Sequence, residues 1–285
     1  STYNWSSNSS NAIDGINSAR LAVGLRKLRS AYSGFALQLR KSSNNDTLSF
    51  GFSGNDLDVA AINLWLNGDD GYCTVLYDQS GYGNNVIQSS SGNQPKFIAS
   101  GINGKPVLRF NSSQYMFNNT NFASPFTVVY GARQTGPARF RVLSSRNNNW
   151  LLGWWGGVRR AAYFEGWVST GPITADNNSY VYSATSNGSN SQFYENGLLL
   201  SNNSNGTSGP NGIQLNGWQG LNEMSDCEFL DVTVFNTVLS PSDRFQAENS
   251  IGTYYNIAIG LNVNPLVVSP SSTTTYTVKI GRAHV

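Results

Sequence analysis

Short apolar and aromatic runs, each cut off by a Gly- or Asn-containing turn, fill the chain from Val107 to Phe235. They predict strands over Val107–Phe110, Phe126–Ala132, Arg139–Ser144, Trp150–Trp155, Arg160–Val168, Tyr180–Thr185, Ser191–Tyr194, Gly197–Ser201, Gly212–Leu215 and Glu228–Phe235. Asn103-Gly104, Asn187-Gly188, Asn196-Gly197 and Asn216-Gly217 are turn signals among them. Strands so regularly punctuated, with no alternating helices, predict an all-β antiparallel sandwich and argue against a parallel sheet.

The N-terminal third carries a different pattern. From Ile16 to Ser30, apolar Ile16, Ala19, Leu21, Ala22, Val23, Leu25 and Leu28 interleave with Arg20, Arg26, Lys27 and Arg29, a helical spacing with cations toward its C-terminal end and Gly34 as its stop. Phe35 to Lys41 alternates as a strand. Asp56–Leu66 reads as a short helix capped by Asn55 or Asp56 and ended by Asn67-Gly68. A last helix follows Pro241, with Ser240 as cap and Phe245, Ile251 and Tyr254 facing inward. Residues 1–12, rich in Ser and Asn, form a loose arm.

The apolar run Cys73-Thr74-Val75-Leu76 opens into Tyr77-Asp78-Gln79-Ser80-Gly81-Tyr82-Gly83-Asn84-Asn85. This reads as a buried strand ending in a shaped polar loop, whose acid, amides and hydroxyl could order the turn itself, orient a polyol or coordinate a cation.

Composition narrows the partners. In 285 residues only 12% are charged and the formal net charge is +2, so nucleic acid is not an expected partner. Abundant Gly, Asn, Ser and Thr with few Lys and Glu fits a secreted or cell-surface protein, and extracellular or cell-surface localisation is expected. No apolar run approaches the roughly 20 residues that span a bilayer, and no signal peptide is recognisable at Ser1, so an exported chain would have lost it already. The nine Asn-X-Ser/Thr sequons are about what 36 Asn and 55 Ser plus Thr produce by chance. Cys73 and Cys227 either pair or remain two buried thiols. The one histidine, His284, leaves no metal-ligand spacing, and no cofactor is expected; calcium is conceivable through Asp78, Asp69 and Asp70, without a recognisable calcium loop.

Several short segments, in order, resemble the N-terminal half of the catalytic domain of family 54 α-L-arabinofuranosidases and related lectin-like modules. They are Leu28-Arg29-Ser30-Ala31-Tyr32-Ser33-Gly34, Gln38-Leu39-Arg40-Lys41-Ser42-Ser43, Gly54-Asn55-Asp56-Leu57-Asp58, the Tyr77–Gly83 loop, Gln88 and Gln94-Pro95. Further on, Phe193-Tyr194-Glu195-Asn196-Gly197, Phe229 to Phe235, Leu239-Ser240, Asp243-Arg244 and Tyr254-Tyr255 resemble the hairpin, closing strand and final helix of the broader concanavalin A-like, laminin-G-like jelly roll. The resemblance implies a two-sheet concanavalin A-like sandwich over residues 13–260 whose concave face or rim loops meet glycans.

It also implies candidate residues for catalysis or binding. Retaining glycosidases need two carboxyls about 5–5.5 Å apart. By the resemblance, Glu165 in Ala161-Ala162-Tyr163-Phe164-Glu165-Gly166-Trp167 is the candidate nucleophile, the alternative being a solvated strand carboxylate. The family's acid is an Asp in a Gly-rich turn, but the matching turn here is Gly217-Trp218-Gln219-Gly220-Leu221-Asn222-Glu223, so Glu223 or Asp226 would have to serve. The family's adjacent cysteine pair is missing too. Binding fits better: Trp155, Trp167 and Trp218 as stacking surfaces, with Asp78, Gln79 and Asn84 as polar contacts. Neighbouring Trp154 and Trp155 must point to opposite faces of a strand. Arg159 and Arg160 could bind acidic sugars or solubilise an edge. The expected function is therefore an extracellular carbohydrate-binding, lectin-like or adhesive module of a larger protein, meeting polysaccharide or glycoprotein glycans and neighbouring modules. An arabinofuranosidase and a scaffold subunit of a surface filament are the alternatives.

Residues 261–279, with Pro265 to Val278, resemble a linker and the first strand of an immunoglobulin-like or PKD-type module. Ile280-Gly281-Arg282-Ala283-His284-Val285 resembles translated sequencing adapter, which implies a metagenomic or transcriptomic fragment and no function for His284.

Overall fold

The computed structural model describes residues 11–260; residues 1–10 of the expected arm, the expected linker and the adapter-like tail lie outside them, while Asn11 and Ala12, expected in the arm, are buried. Two antiparallel sheets face each other. The first runs Leu198–Asn203, Ser191–Glu195, Tyr180–Ser186, Phe126–Gln134 and Cys227–Phe235, beyond which Ala19–Val23 and Val107–Phe110 pair with opposite ends of the last strand. The second runs Thr47–Phe50, Leu37–Lys41, Gly71–Leu76, Val86–Ile87, Met116–Phe117, Gln214–Leu215, Leu143–Ser144, Trp150–Trp155, Val158–Phe164 and Ile173–Thr174. Lys96–Ile98 bridges them at one edge.

The facing surfaces are apolar because the strands alternate. Trp150, Leu152 and Trp154 point in from one sheet and meet Phe126, Tyr130 and Tyr182 from the other. Edge-to-face pairs of this kind add about 0.5–1.5 kcal/mol each beyond the area they bury. A second core lies on the far face of the first sheet, where helix α2 (Pro241–Tyr255) packs Ala247, Ile251 and Tyr255 against Val129, Val181 and Leu230.

The segment expected to be helical from Ile16 is instead a strand, Ala19–Val23, paired with Val232–Phe235. Both of its faces are covered. Leu21 and Val23 enter the sandwich core while Ala19 and Ala22 enter the core under α2, so the alternation that marks a strand is lost and the apolar run imitates a helix.

Other boundaries move for local reasons. Helix α1 (Val59–Leu66) starts later than Asp56, because Asp56–Leu57 pairs with Phe52–Ser53 and Asp58 is the cap, accepting from the Ala61 N–H at 3.0 Å. Asn67 closes it in the left-handed conformation. Only Leu143–Ser144 of the expected Arg139–Ser144 strand pairs regularly. Strand Val158–Phe164 stops at Glu165, whose left-handed backbone (φ 55°) reverses the chain and sets Tyr163 opposite Trp167. Helix α2 has the expected Ser240 cap but buries Arg244, Ala247, Glu248, Ile251 and Tyr255; Phe245 and Tyr254 are half-exposed. Cys73 and Cys227 are buried free thiols, and burial raises the pKa of both. Among the described residues no helix is long and apolar enough to cross a membrane.

Candidate functional site

Three of the sequence-selected aromatics come together. The bulge between Gly153 and Trp154 keeps Trp154 buried and turns Trp155 outward at 37% exposure. The reversal at Glu165 lays Trp167, 43% exposed, against Tyr163 (ring centroids 5.0 Å apart) and Trp155 (5.4 Å). The third aromatic arrives on the turn after Leu215. Asn216, wholly buried, donates to the carbonyls of Asn111, Gln114 and Ser225 and accepts from the Ser225 N–H. Gln214 likewise clamps both the N–H and the carbonyl of Gly220. Left-handed backbone at Gly217, Gln219, Gly220 and Glu223 then brings both Trp218 and Glu223 back over the second sheet.

Between them lies Arg141. Its guanidinium sits 4.3 Å from the centre of the Trp218 ring, donates from Nε to Glu223 Oε2 and from Nη2 to Asn149 Oδ1 at 3.0 Å. Burial lowers the pKa of Arg141 and the Glu223 carboxylate opposes that shift, holding the cation in place. Trp155 Nε1 donates to the same Glu223 oxygen at 3.2 Å, and Trp218 Nε1 donates to the Asn148 carbonyl at 3.0 Å. The result is one connected assembly: Trp167, Trp155, Glu223 and Trp218 at the surface, with Arg141 buried beneath them. Arg141, Tyr163 and Asn149 are its members that sequence reasoning passed over; the Asn147-Asn148-Asn149 run beside a strand of tryptophans was the available signal.

The other selected residues lie differently. Glu165 is exposed on its turn, and its N–H donates to the Asn149 carbonyl at 3.1 Å, so it borders this surface without belonging to a strand. Asp226 braces the loop before Arg141 by accepting from the Ala138 N–H at 3.0 Å. Asp78 and Gln79 are buried and spent on internal hydrogen bonds, and Asn84 donates to the Arg20 carbonyl and accepts from Thr120. These three take the turn-ordering role; the partly exposed polar side chains beside the aromatics are Glu223 and Asn149. Arg159 is largely buried between Glu195 and Asp176, and Arg160 donates from Nε to Glu195 Oε1 at 2.9 Å. Of the aspartates considered for calcium, Asp69 is held well below the usual carboxylate range by the hydroxyls of Ser42 and Ser43, Asp70 pairs with Lys96, and Asp78 is enclosed. No group of three or more metal-ligating side chains forms among the described residues.

No protein-family model matches the sequence, and no curated protein does. Among solved structures, the chain is similar to a family 54 α-L-arabinofuranosidase soaked with a cyclic sulfate inhibitor: 17% identity, TM-score 0.61, over 89% of this chain and 65% of that one. A glutamate-to-glutamine variant of such an enzyme soaked with 4-nitrophenyl α-L-arabinofuranoside gives 15%, 0.62, 90% and 66%. An arabinofuranosidase complexed with arabinofuranosyl-α-1,2-xylobiose gives 16%, 0.61, 89% and 65%. The chain therefore spans just under two thirds of the length of these structures. What it has in common with them is the fold, a concanavalin A-like β-sandwich.

Proposed function

We propose that this chain is a carbohydrate-binding module of a larger extracellular or cell-surface protein, and that Trp155, Trp167 and Trp218 are its sugar-stacking surface. The observation that carries the reading is the joined aromatic and polar surface on an otherwise well-packed sheet. Indole faces cover the C–H face of a sugar, while Glu223 and Asn149 beside them offer acceptors and donors for its hydroxyls. The arabinofuranosyl ligands of the similar structures make arabinan and arabinoxylan the first polysaccharides to test. Titration calorimetry is expected to show binding, and Trp155→Ala to weaken it about 10- to 100-fold, the loss of about 1–3 kcal/mol that a central aromatic contact carries. Unchanged binding would remove Trp155 from the site; no binding to any plant or microbial polysaccharide would leave the filament-scaffold reading.

A second reading, hydrolysis, is favoured by the fold and by Glu165 and Glu223 both bordering the Arg141–Asn149 pair. A general acid must reach the leaving-group oxygen; Glu223 Oε2 is already taken by Arg141 Nε and Trp155 Nε1. Assayed with 4-nitrophenyl α-L-arabinofuranoside, the chain is expected to release no nitrophenol above the blank. Release abolished by Glu165→Gln would replace the binding proposal with the enzyme.

A further inference from the structure

Arg109, Glu228 and Arg133 stand in one row across three neighbouring strands of the first sheet. Glu228 is fully buried. Its Oε1 accepts from Arg109 Nε at 2.7 Å, with Nη2 of the same arginine 2.6 Å away, and its Oε2 accepts from Arg133 Nε at 2.7 Å, with that Nη2 also 2.7 Å away. One carboxylate thus serves two guanidiniums, each gripping it by its side edge. The Nη1 groups make no hydrogen bond among the described residues, so the outer Nη1–Nη2 fork of each arginine is open. The two side chains are 48% and 31% exposed.

Both open onto a basin of about 400 Å³ whose remaining wall is Gln134, Thr135 and Asn177. Gln134 is wholly buried; its Nε2 donates to Ser225 Oγ at 3.3 Å, and its Oε1 has no partner. At the rim, Arg139 donates to Asn177 Oδ1 and to the Gly136 carbonyl, while its Nη1 is buried without an acceptor. The charges nearby are Arg109, Arg133 and Arg139 against Glu228 and Asp226, whose carboxylate is held by the Ala138 N–H. One positive charge is left over. The segment from Thr135 to Phe140 separates the basin from Arg141 and the aromatic surface.

We infer that this basin binds a uronate residue of an acidic polysaccharide, its carboxylate on the open forks of Arg109 and Arg133 and its hydroxyls on Thr135 and Asn177. The planar guanidinium fork matches a carboxylate with two parallel hydrogen bonds. Neutral donors and acceptors beside it match the hydroxyls of a sugar ring, which a bare anion or an acidic peptide lacks. The site is independent of the aromatic surface and stands if that surface binds nothing.

The test is calorimetry of the full chain with trigalacturonate, its fully methyl-esterified form, and poly-aspartate as a charge control. Trigalacturonate is expected to bind at least tenfold more tightly than its ester and more tightly than poly-aspartate of equal charge, with affinity falling as salt rises. Arg109→Gln and Arg133→Gln, each of which leaves Glu228 one arginine, are expected to weaken it fivefold or more, and Trp155→Ala to leave it unchanged. Comparison with the ester needs no variant, so a misfolded mutant would not stop the test. Equal binding of acid and ester, equal binding of poly-aspartate, no binding, or loss on Trp155→Ala would each overturn the assignment.

Discussion

Asp78→Ala is expected to lose about 3–5 kcal/mol of folding free energy, measured as a lower urea midpoint. Asp78 is buried, and its two oxygens accept four hydrogen bonds: Oδ1 from the N–H groups of Ala22 (2.8 Å) and Ser80 (2.9 Å), Oδ2 from Ser80 Oγ (2.7 Å) and the Asn84 N–H (2.9 Å). Alanine removes the acceptor and orphans three backbone donors, at about 1–3 kcal/mol each before relaxation. Gln79 extends the clamp, accepting from the Leu28 N–H and donating to the Arg26 carbonyl, both within 3 Å. The loop therefore holds the Ala22–Leu28 segment against the second sheet. Asp78→Asn, which keeps an acceptor oxygen but turns its NH₂ toward a backbone donor, should recover only part of the loss. A deficit below about 1 kcal/mol would mean that solvent replaces the carboxylate and that the loop is a surface feature after all.

The same loop shows what was legible in the sequence. Asp78, Gln79 and Asn84 read as sugar contacts or as turn braces, because a polar residue that clamps backbone and one that meets ligand have the same composition; the burial of Asp78 and Gln79 and the internal hydrogen bonds of Asn84 separate the two. The sandwich was readable wherever one face of a strand is apolar and the other polar, as at Leu37–Lys41. It was unreadable at Ala19–Val23, where two cores cover both faces. At the aromatic surface the tryptophans were visible as residue types. Arg141 was not, since its role depends on Glu223 and Trp218 being carried over it by left-handed backbone in a distant turn. Glu165 was placed on a strand by the apolar run before it, and the reversal at its own φ of 55° takes it off.

Arg26→Ala is expected to cost about 3–5 kcal/mol near pH 7, and the cost is expected to grow as pH rises. Arg26 donates to Asp231 Oδ2 from Nε at 2.8 Å, with Nη2 at 2.7 Å from the same oxygen and 2.9 Å from Ser250 Oγ. Asp231 has no exposed side-chain surface, and its Oδ1 has no partner. Gly24 leaves the room it needs, as a Cβ there would lie 2.4 Å from Oδ1. Breaking a buried pair from one side strands the other charge, which is why the loss exceeds anything a surface pair contributes. Burial already raises the Asp231 pKa, against the opposing pull of Arg26. A carboxyl whose folded-state pKa exceeds its unfolded value of about 3.9 contributes most below that value and loses its contribution as pH climbs through the folded pKa. Removing Arg26 raises the folded pKa further, so the gap between wild type and variant should be smallest near pH 4 and widen toward pH 7 in parallel urea titrations. Arg26→Met combined with Asp231→Leu, which removes both charges, should return to within about 2 kcal/mol of wild type. A gap that stays flat with pH, or a double variant no better than Arg26→Ala, would show that Arg26 acts through its packing under Tyr254 rather than as the counter-ion of Asp231.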